Sequence, residues 1–337
     1  MRLNGLDIAR FFAFTGMVLV NFRIAAQVVG HNDWAANLTQ LLEGRAAALF
    51  VVLAGVGISL ANADAMLMAK RALFLFAIGL LNQTIFEADI LHYYGVYFLC
   101  AIPMMWLTSR GLIIAAVTVL ALSVTMLIAL DYEAGWNWDT LQYADFWTLR
   151  GFIRNLFYNG WHPVLPWFVF LLAGMWIGRL DLSQRNAQIK LLLVGGGWAV
   201  LMVFCSITLS TDAELADIVG LSPIPPGPFY VLAGIGTSTA VIGLCLLITP
   251  FLERVHIASW LATPGRQTLT LYVAHILLGM GLLEAMGKLD GSLSSRMIFG
   301  ISLGFAGMSI LYTKIWAQVS RRGPLEGLMR VITERRA

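Results

Sequence analysis

Long apolar runs recur along the whole chain, and they limit its fold more than any other feature of the sequence. About 20 consecutive apolar residues cross a bilayer as a helix, and about ten such runs are present. A backbone exposed to lipid must satisfy its own hydrogen bonds, so spanning segments of this length are helical. The sequence therefore predicts an all-α polytopic membrane protein, a bundle of about ten transmembrane helices. The predicted spans are 8–29, 41–62, 70–86, 90–108, 111–130, 161–179, 189–209, 228–249, 267–286 and 296–316.

Composition extends this prediction to the entire chain. Only 12% of the residues are charged, the mean hydropathy is +0.78 and the net charge is +3. Soluble domains carry about 25% charged residues. We therefore expect residues 1–337 to form a single integral membrane domain surrounded by membrane lipid, with 317–337 as a basic cytoplasmic tail. No basic run is interleaved with aromatic residues, so nucleic acid is not an expected partner.

The distribution of Lys and Arg predicts the orientation in the membrane. With a cytoplasmic N-terminus, 16 of the 22 Lys and Arg residues fall on the cytoplasmic side. The positive-inside rule then places both termini in the cytoplasm. A cleaved signal peptide is the alternative for the first run, but the early Asp7 and the internal Arg23 argue against it.

The first apolar run contains polar side chains at helical spacing. At about 100° per residue, Arg10 and Asn21 lie on one face of a helix, with Asp7 one turn before Arg10. Ionisable and amide groups are costly inside a bilayer, so they usually face the interior of a bundle and are functional candidates. A passive membrane anchor would not need them.

A second polar stripe lies in the ninth predicted span. His275 is about 14 Å into the helix that begins at Arg266. Thr268, Tyr272, His275 and Gly279 fall on one face of this otherwise apolar segment. A structural histidine with satisfied hydrogen bonds is the alternative to a functional one.

Two predicted outer segments carry further candidates. His31 is followed by Asp33 and Trp34. A neutral imidazole can remove a proton from a hydroxyl or amine, and a nearby carboxylate can orient it. Trp161 and His162 follow an aromatic loop at the mouth of the sixth predicted span. This loop is either an interfacial belt or a platform for a sugar or lipid acceptor, and His162 either caps the helix or lines its mouth.

Metal and nucleotide-phosphate motifs are not found in the sequence. The three cysteines lie inside apolar runs without metal-ligand spacing, and no pair of histidines has the spacing of a zinc helix. No glycine-rich loop ends in Lys-Ser or Lys-Thr, so ATP-driven pumping by this chain is not expected.

Several motifs, taken in order, resemble those of one enzyme family. They are Leu6-Asp7-Ile8-Ala9-Arg10, Met17-Val-Leu-Val-Asn21-Phe22, His31-Asn-Asp-Trp34, Trp161-His162-Pro163, Gly265-Arg266 with Leu271-Tyr272, and Arg322-Gly323-Pro324-Leu325-Glu326. The chain resembles the catalytic region of heparan-alpha-glucosaminide N-acetyltransferases and the related YeiB-like bacterial membrane proteins. Two departures limit the comparison. Asn21 stands where the broader O-acyltransferase branch has a histidine, and Glu43-Gly44-Arg45 replaces the Asp-Leu-Val-Phe-Pro-Trp-like run of the heparan enzymes.

The resemblance implies a multi-pass acyltransferase of the bacterial inner (cytoplasmic) membrane. Such a protein passes an acyl group, here expected to be acetyl, from cytoplasmic acyl-CoA to an acceptor on the outer face. Acetyl-CoA is then a co-substrate, and the acceptor is a sugar, a glycan or a lipid-linked molecule. O- and N-acylation, transfer through an acyl-histidine, and a homo-oligomer all stay open. A transporter or flippase that uses the same polar residues without chemistry is the alternative function.

In the resemblance, His31 matches the active-site histidine of the heparan enzymes, and Asp7, Arg10 and Asn21 match polar positions of its neighbouring helix. Together with the polar patterns above, this gives the polar residues expected roles. The catalytic group comprises His31, Asp33, Asn21 and His275, with Asp7 in the supporting polar network. The CoA phosphates are expected to bind Arg10, Lys70, Arg71 and Arg266. The acceptor is expected to contact His162, Trp161, Tyr272 and Trp34. No metal is expected.

Overall fold

The computed structural model describes residues 3–28, 33–61, 64–210 and 216–334, and the regular secondary structure of this part of the chain is almost entirely helical. The α-helices are α1 (Asn4–Ala25), α2 (Trp34–Leu42), α3 (Arg45–Ala61), α4 (Ala65–Gln83), α5 (Leu91–Met104), α6 (Ser109–Ala129), α7 (Leu149–Arg154), α8 (Val164–Ile177), α9 (Arg185–Leu209), α10 (Ala216–Val219), α11 (Pro228–Arg254), α12 (Ala258–Gly265), α13 (Thr268–Ala274), α14 (Gly281–Ala285), α15 (Ser295–Trp316) and α16 (Pro324–Glu334). Two π-helical segments, Asn155–Asn159 and His275–Met280, follow α7 and α13. Strands β1 (Trp136–Asn137) and β2 (Gln142–Tyr143) pair as a short antiparallel hairpin.

The predicted all-α polytopic fold is confirmed, with fewer full spans than the ten expected. In the described residues, eight helices are long and apolar enough to cross a membrane, or nine if one bent pair forms a single span. The bent pair, Leu149–Asn159 with Val164–Ile177, turns by 46° near the predicted span 161–179. The predicted span 90–108 corresponds to α5, which has only 14 residues and contains Pro103.

Helical structure begins earlier than the predicted second span, 41–62. Asp33 caps α2, and its carboxylate accepts a hydrogen bond from the amide of Ala36 at 2.9 Å. The predicted loop that contains Trp34 is therefore the start of a helix. The apolar helix α3 follows α2 closely, and the two together form one candidate span, Trp34–Ala61.

The chain divides into two compact units. The first comprises residues 1–50, 182–192 and 240–337, and the second comprises 51–181 and 193–239. In the first unit, α1 lies at the centre and packs against α12 and α15. Glycine permits the closest of these approaches, because a Cβ atom on Gly265 would overlap the main-chain carbonyl of Asp7.

In the second unit, α4 packs along α5 and α6 packs along α8. The predicted aromatic loop is folded here into the β1–β2 hairpin and α7. The side chain of Asn159 fixes this loop, donating hydrogen bonds to the carbonyls of Tyr132 and Ala134 at 2.8 Å and accepting one from the Tyr143 hydroxyl at 2.6 Å.

Candidate functional site

A buried carboxylate holds two guanidinium groups near the start of α1. Asp7 is 1% exposed, and its Oδ1 and Oδ2 atoms lie 2.7 Å from Arg10 and 3.1 Å from Arg266. The amide oxygen of Asn4 accepts a second hydrogen bond from Arg266 at 2.8 Å. The two arginine side chains are 25% and 35% exposed. They are therefore partly accessible, and bidentate phosphate binding suits guanidinium groups.

A buried amide–imidazole pair lies further along α1. The side-chain nitrogen of Asn21 is 3.0 Å from Nε2 of His275, and these side chains are 8% and 0% exposed respectively. The other ring nitrogen of His275, Nδ1, contacts the main-chain carbonyl of Tyr272. A carbonyl only accepts hydrogen bonds, so Nδ1 carries the proton in the neutral ring. Nε2 then accepts from the Asn21 amide, whose second N–H remains available for another partner.

Aromatic rings enclose this pair. Phe14 meets the His275 ring edge-on, and Phe22 is stacked with it, both with centroid separations of 6.3 Å. His275 is also the first residue of the π-helical segment that ends at Met280. Such widened turns are frequent at functional sites. The arrangement places one amide and one imidazole side by side in an apolar environment.

The two polar pairs show how α1 runs relative to the segment that follows Arg266. Asp7, near the start of α1, contacts Arg266, and Asn21, near its end, contacts His275. Asp7 and Asn21 are separated by about 21 Å along α1. Both helices therefore run in the same direction. The arginine cluster and the amide–imidazole pair are consequently held by one pair of parallel helices.

Of the candidates around His31 that were predicted to lie near the outer face, the structure describes only Asp33 and Trp34. His31 lies outside the described residues. Asp33, besides capping α2, has its Oδ2 atom 3.5 Å from Nε of Arg296. Trp34 is 57% exposed and its ring lies 5.2 Å from that of Phe299. The roles expected for His31, Asp33 and Trp34 remain predictions.

Trp161 and His162 lie in the second unit, in the break between α7 and α8. The ring of Trp161 packs edge-on against Trp136 at 5.4 Å. The main-chain carbonyl of His162 accepts a hydrogen bond from Tyr97 at 2.5 Å. The ring of His162 is 4.6 Å from that of Trp167, at the start of α8. Aromatic packing therefore fixes both side chains, and acceptor binding by them remains a prediction.

Lys70 and Arg71 also belong to the second unit, near the start of α4, where Lys70 is exposed and Arg71 is half-buried. The first unit therefore brings together only two of the four expected phosphate ligands, Arg10 and Arg266. Among the described residues, no three His, Cys, Asp or Glu side chains are grouped as metal ligands would be.

Some polar residues with specific contacts were not singled out as site residues by their sequence. Asn4 links Arg266 to Glu253 through its side chain. Asp89 and His92, both fully buried, form a pair at the start of α5 with 3.5 Å between Oδ2 and Nδ1. Their spacing of three residues at a helix start is the signal that could have revealed them. Glu326 contacts the first turn of α13 from a distant part of the sequence.

Comparison with known families supports the resemblance seen in the sequence. A family model described as "Heparan-alpha-glucosaminide N-acetyltransferase, catalytic" matches residues 2–211, more than half of the chain. A second model, described as a protein of unknown function (DUF418), matches residues 177–336. The comparison with curated proteins gives no match.

Proposed function

The chain belongs to the heparan-alpha-glucosaminide N-acetyltransferase catalytic family, and on this basis we propose that it transfers an acetyl group across the membrane. The donor is cytoplasmic acetyl-CoA, and the acceptor is a hydroxyl or amine of a sugar, glycan or lipid-linked molecule at the outer face. The observation that carries this proposal is that α1 holds both polar groups. Its Asn21 pairs with His275, and its Asp7 and Arg10 form a cluster with Arg266.

The arginine cluster supports binding of the donor. Arg10 and Arg266 share one buried carboxylate, which fixes their orientation while both side chains remain partly exposed. A fixed guanidinium loses little conformational entropy when it binds phosphate. The pantetheine arm of CoA would then extend along α1 from Arg10 toward Asn21, a distance of about 16 Å.

The proposed chemical step moves the acetyl group from the thioester sulfur of CoA to the acceptor oxygen or nitrogen. His31 removes the proton from the acceptor O–H or N–H, and the acceptor oxygen or nitrogen attacks the thioester carbonyl. The free N–H of Asn21 donates to the oxyanion that develops on this carbonyl. The carbon–sulfur bond then breaks, and the CoA thiolate takes the proton from the His31 imidazolium. In this scheme His275 holds the Asn21 amide in place, and Tyr272 fixes His275.

The decisive experiment uses inside-out membrane vesicles, which expose the cytoplasmic face to the medium. Acetyl-CoA labelled on its acetyl group is added to vesicles with the unaltered chain, with His31→Ala or with Asn21→Ala, and label in lipid and glycan is measured. We expect each substitution to reduce transfer by roughly 100-fold or more. His256→Asn is the matched control, because His256 has a positive φ of 59° that Asn tolerates and has no role in the proposed mechanism.

The possible outcomes separate the two functions. Transfer that requires His31 and Asn21 but not His256 supports the acetyltransferase. Unchanged transfer in the Asn21 or His31 variant removes that residue from the mechanism. Absence of transfer by the unaltered chain, together with absence of acetyl-CoA binding, would contradict the proposal and favour a transporter or flippase.

A further inference from the structure

The segment from Arg322 to Glu326 has no part in the acetyl transfer described above, yet its residues make a dense set of contacts. It connects α15 to α16 and begins α16 with Pro324. Glu326 is the third residue of that helix. Its carboxylate points away from its own helix, toward the first turn of α13.

Glu326 supplies the hydrogen-bond acceptors that the start of α13 lacks. The first amide groups of any helix have no acceptor within that helix. Gln267, the residue before α13, provides no side-chain cap. Instead, Oε1 of Glu326 accepts hydrogen bonds from the amides of Leu269 at 2.8 Å and Thr270 at 3.2 Å. A carboxylate in this position is also favoured by the helix dipole.

The neighbours of Glu326 reinforce the same contact. The Thr270 hydroxyl donates to Oε2 of Glu326 at 2.5 Å and accepts from the amide of Leu325 at 3.0 Å. A Cβ atom on Gly323 would overlap the Glu326 carboxylate and lie 2.5 Å from the Thr270 hydroxyl oxygen. Proline at the first position of α16 costs no hydrogen bond. Gly323, Leu325 and Glu326 therefore all lie against Thr270.

The anchored helix carries the residues that orient the candidate site. α13 has only seven residues, and α1 and α16 are among the elements packed against it. Thr270 is two residues before Tyr272, whose carbonyl accepts a hydrogen bond from Nδ1 of His275. Nε2 of the same ring accepts a hydrogen bond from the amide of Asn21. A movement of the first turn of α13 would therefore be passed directly to the His275 ring.

We infer that Glu326 is a positioning residue, which anchors α13 and thereby sets the orientation of His275 toward Asn21. The catalytic consequence of this anchoring rests on the proposed function, but the anchoring itself does not. The two are tested by different measurements.

The anchoring is tested on the purified full chain in lipid nanodiscs. Amide hydrogen exchange is measured for a peptide covering 268–275, together with the ring nitrogen signals of ¹⁵N-labelled histidine, assigned with a His275→Gln variant. We expect Glu326→Ala to increase the exchange rate in this peptide about tenfold. The net stability lost with one hydrogen bond changes the equilibrium for local opening by about that factor. We also expect it to shift the His275 signals. Glu326→Gln, which keeps one acceptor oxygen, should have a smaller effect.

Matched variants make the result specific. Thr270→Val removes the hydroxyl and should raise exchange, while Thr270→Ser keeps it and should not. These two variants still test the contact if Glu326→Ala does not fold. Glu334→Ala removes another acidic residue of α16, which pairs with Arg330 on the exposed side, and should leave exchange and the His275 signals unchanged.

Each contrary result has a distinct meaning. Unchanged exchange in Glu326→Ala and Thr270→Val would overturn the anchoring. Faster exchange with unchanged His275 signals would overturn the positioning of His275. In vesicles, we expect Glu326→Ala to lower kcat with little change in the KM for acetyl-CoA. If the unaltered chain transfers no label, the proposed function fails while the exchange and histidine data still decide this inference.

Discussion

Asn21 and His275 form a buried pair, with 3.0 Å between the side-chain nitrogen of Asn21 and Nε2 of His275, although 254 positions separate them in the chain. The carbonyl of Tyr272 sets the ring tautomer, so the imidazole accepts and the amide donates. This relationship gives His275 a partner that its depth in the membrane did not specify. In the proposed mechanism His275 orients an amide donor, and Asn21 keeps one N–H for the reaction.

The pairing of Asn21 with His275 predicts non-additive effects on catalysis. We expect Asn21→Ala to lower kcat by roughly 100-fold, since it removes the proposed oxyanion donor. His275→Phe should lower kcat less, and the double variant should be no slower than Asn21→Ala. A double-mutant cycle on labelled acetyl transfer measures this coupling. Additive losses in the double variant would show that the two residues act separately.

The arginine cluster predicts a defect in donor binding. Arg266→Gln removes one of the two guanidinium groups that contact the buried Asp7. We expect the KM for acetyl-CoA to rise about tenfold with a smaller change in kcat, since a lost charge-assisted hydrogen bond costs about 1.5 kcal/mol. Arg330→Gln, on the exposed side of α16, is the matched control and should leave KM unchanged. An unchanged KM in Arg266→Gln would exclude Arg266 from CoA binding.

The close approach of Gly265 to α1 predicts a specific loss of stability. A Cβ atom at this position would overlap the Asp7 carbonyl, and a main-chain atom cannot move aside as a side chain can. We expect Gly265→Ala to lower the free energy of unfolding by about 1–3 kcal/mol. Gly300→Ala in α15 is the control, because no atom lies within 4 Å of its added Cβ. Thermal unfolding in detergent compares the two, and equal midpoints would contradict this packing.

The environment of Glu326 predicts a pH-dependent stability. Burial raises the pKa of Glu326 above its usual 4.5, against the opposing effect of hydrogen bonds from Thr270 and Leu269. Tyr312 of α15 interacts electrostatically with Glu326 from a neighbouring helix. A carboxyl group whose pKa is raised on folding stabilises the fold below its unfolded pKa. That contribution is lost as the pH rises through the folded pKa.

This dependence can be measured with Glu326→Gln as the reference. We expect the unfolding midpoint of the unaltered chain, relative to Glu326→Gln, to fall as the pH rises above 4.5 and then to level off. Glu334→Ala should follow the unaltered chain. A difference that grows with rising pH would mean that the folded-state pKa of Glu326 is lowered instead.

The sequence by itself determined the class of fold and most of the helix positions. Apolar length alone is sufficient for this, because a lipid-exposed backbone has to be helical. The polar residues of α1 were likewise visible, since Asp7, Arg10 and Asn21 are costly in a bilayer wherever their partners lie. Length did not distinguish a full span from the shorter α5, and it did not reveal the 46° bend before α8.

Only the tertiary structure decided which polar groups meet. Asp7 with Arg266 and Asn21 with His275 are pairs between distant segments, and no local period encodes them. Glu326 is the clearest case, because its spacing within α16 says nothing about the unsatisfied amides of Leu269 and Thr270. Periodicity assigns a side chain to a face of its own helix, whereas its partner depends on how the helices pack.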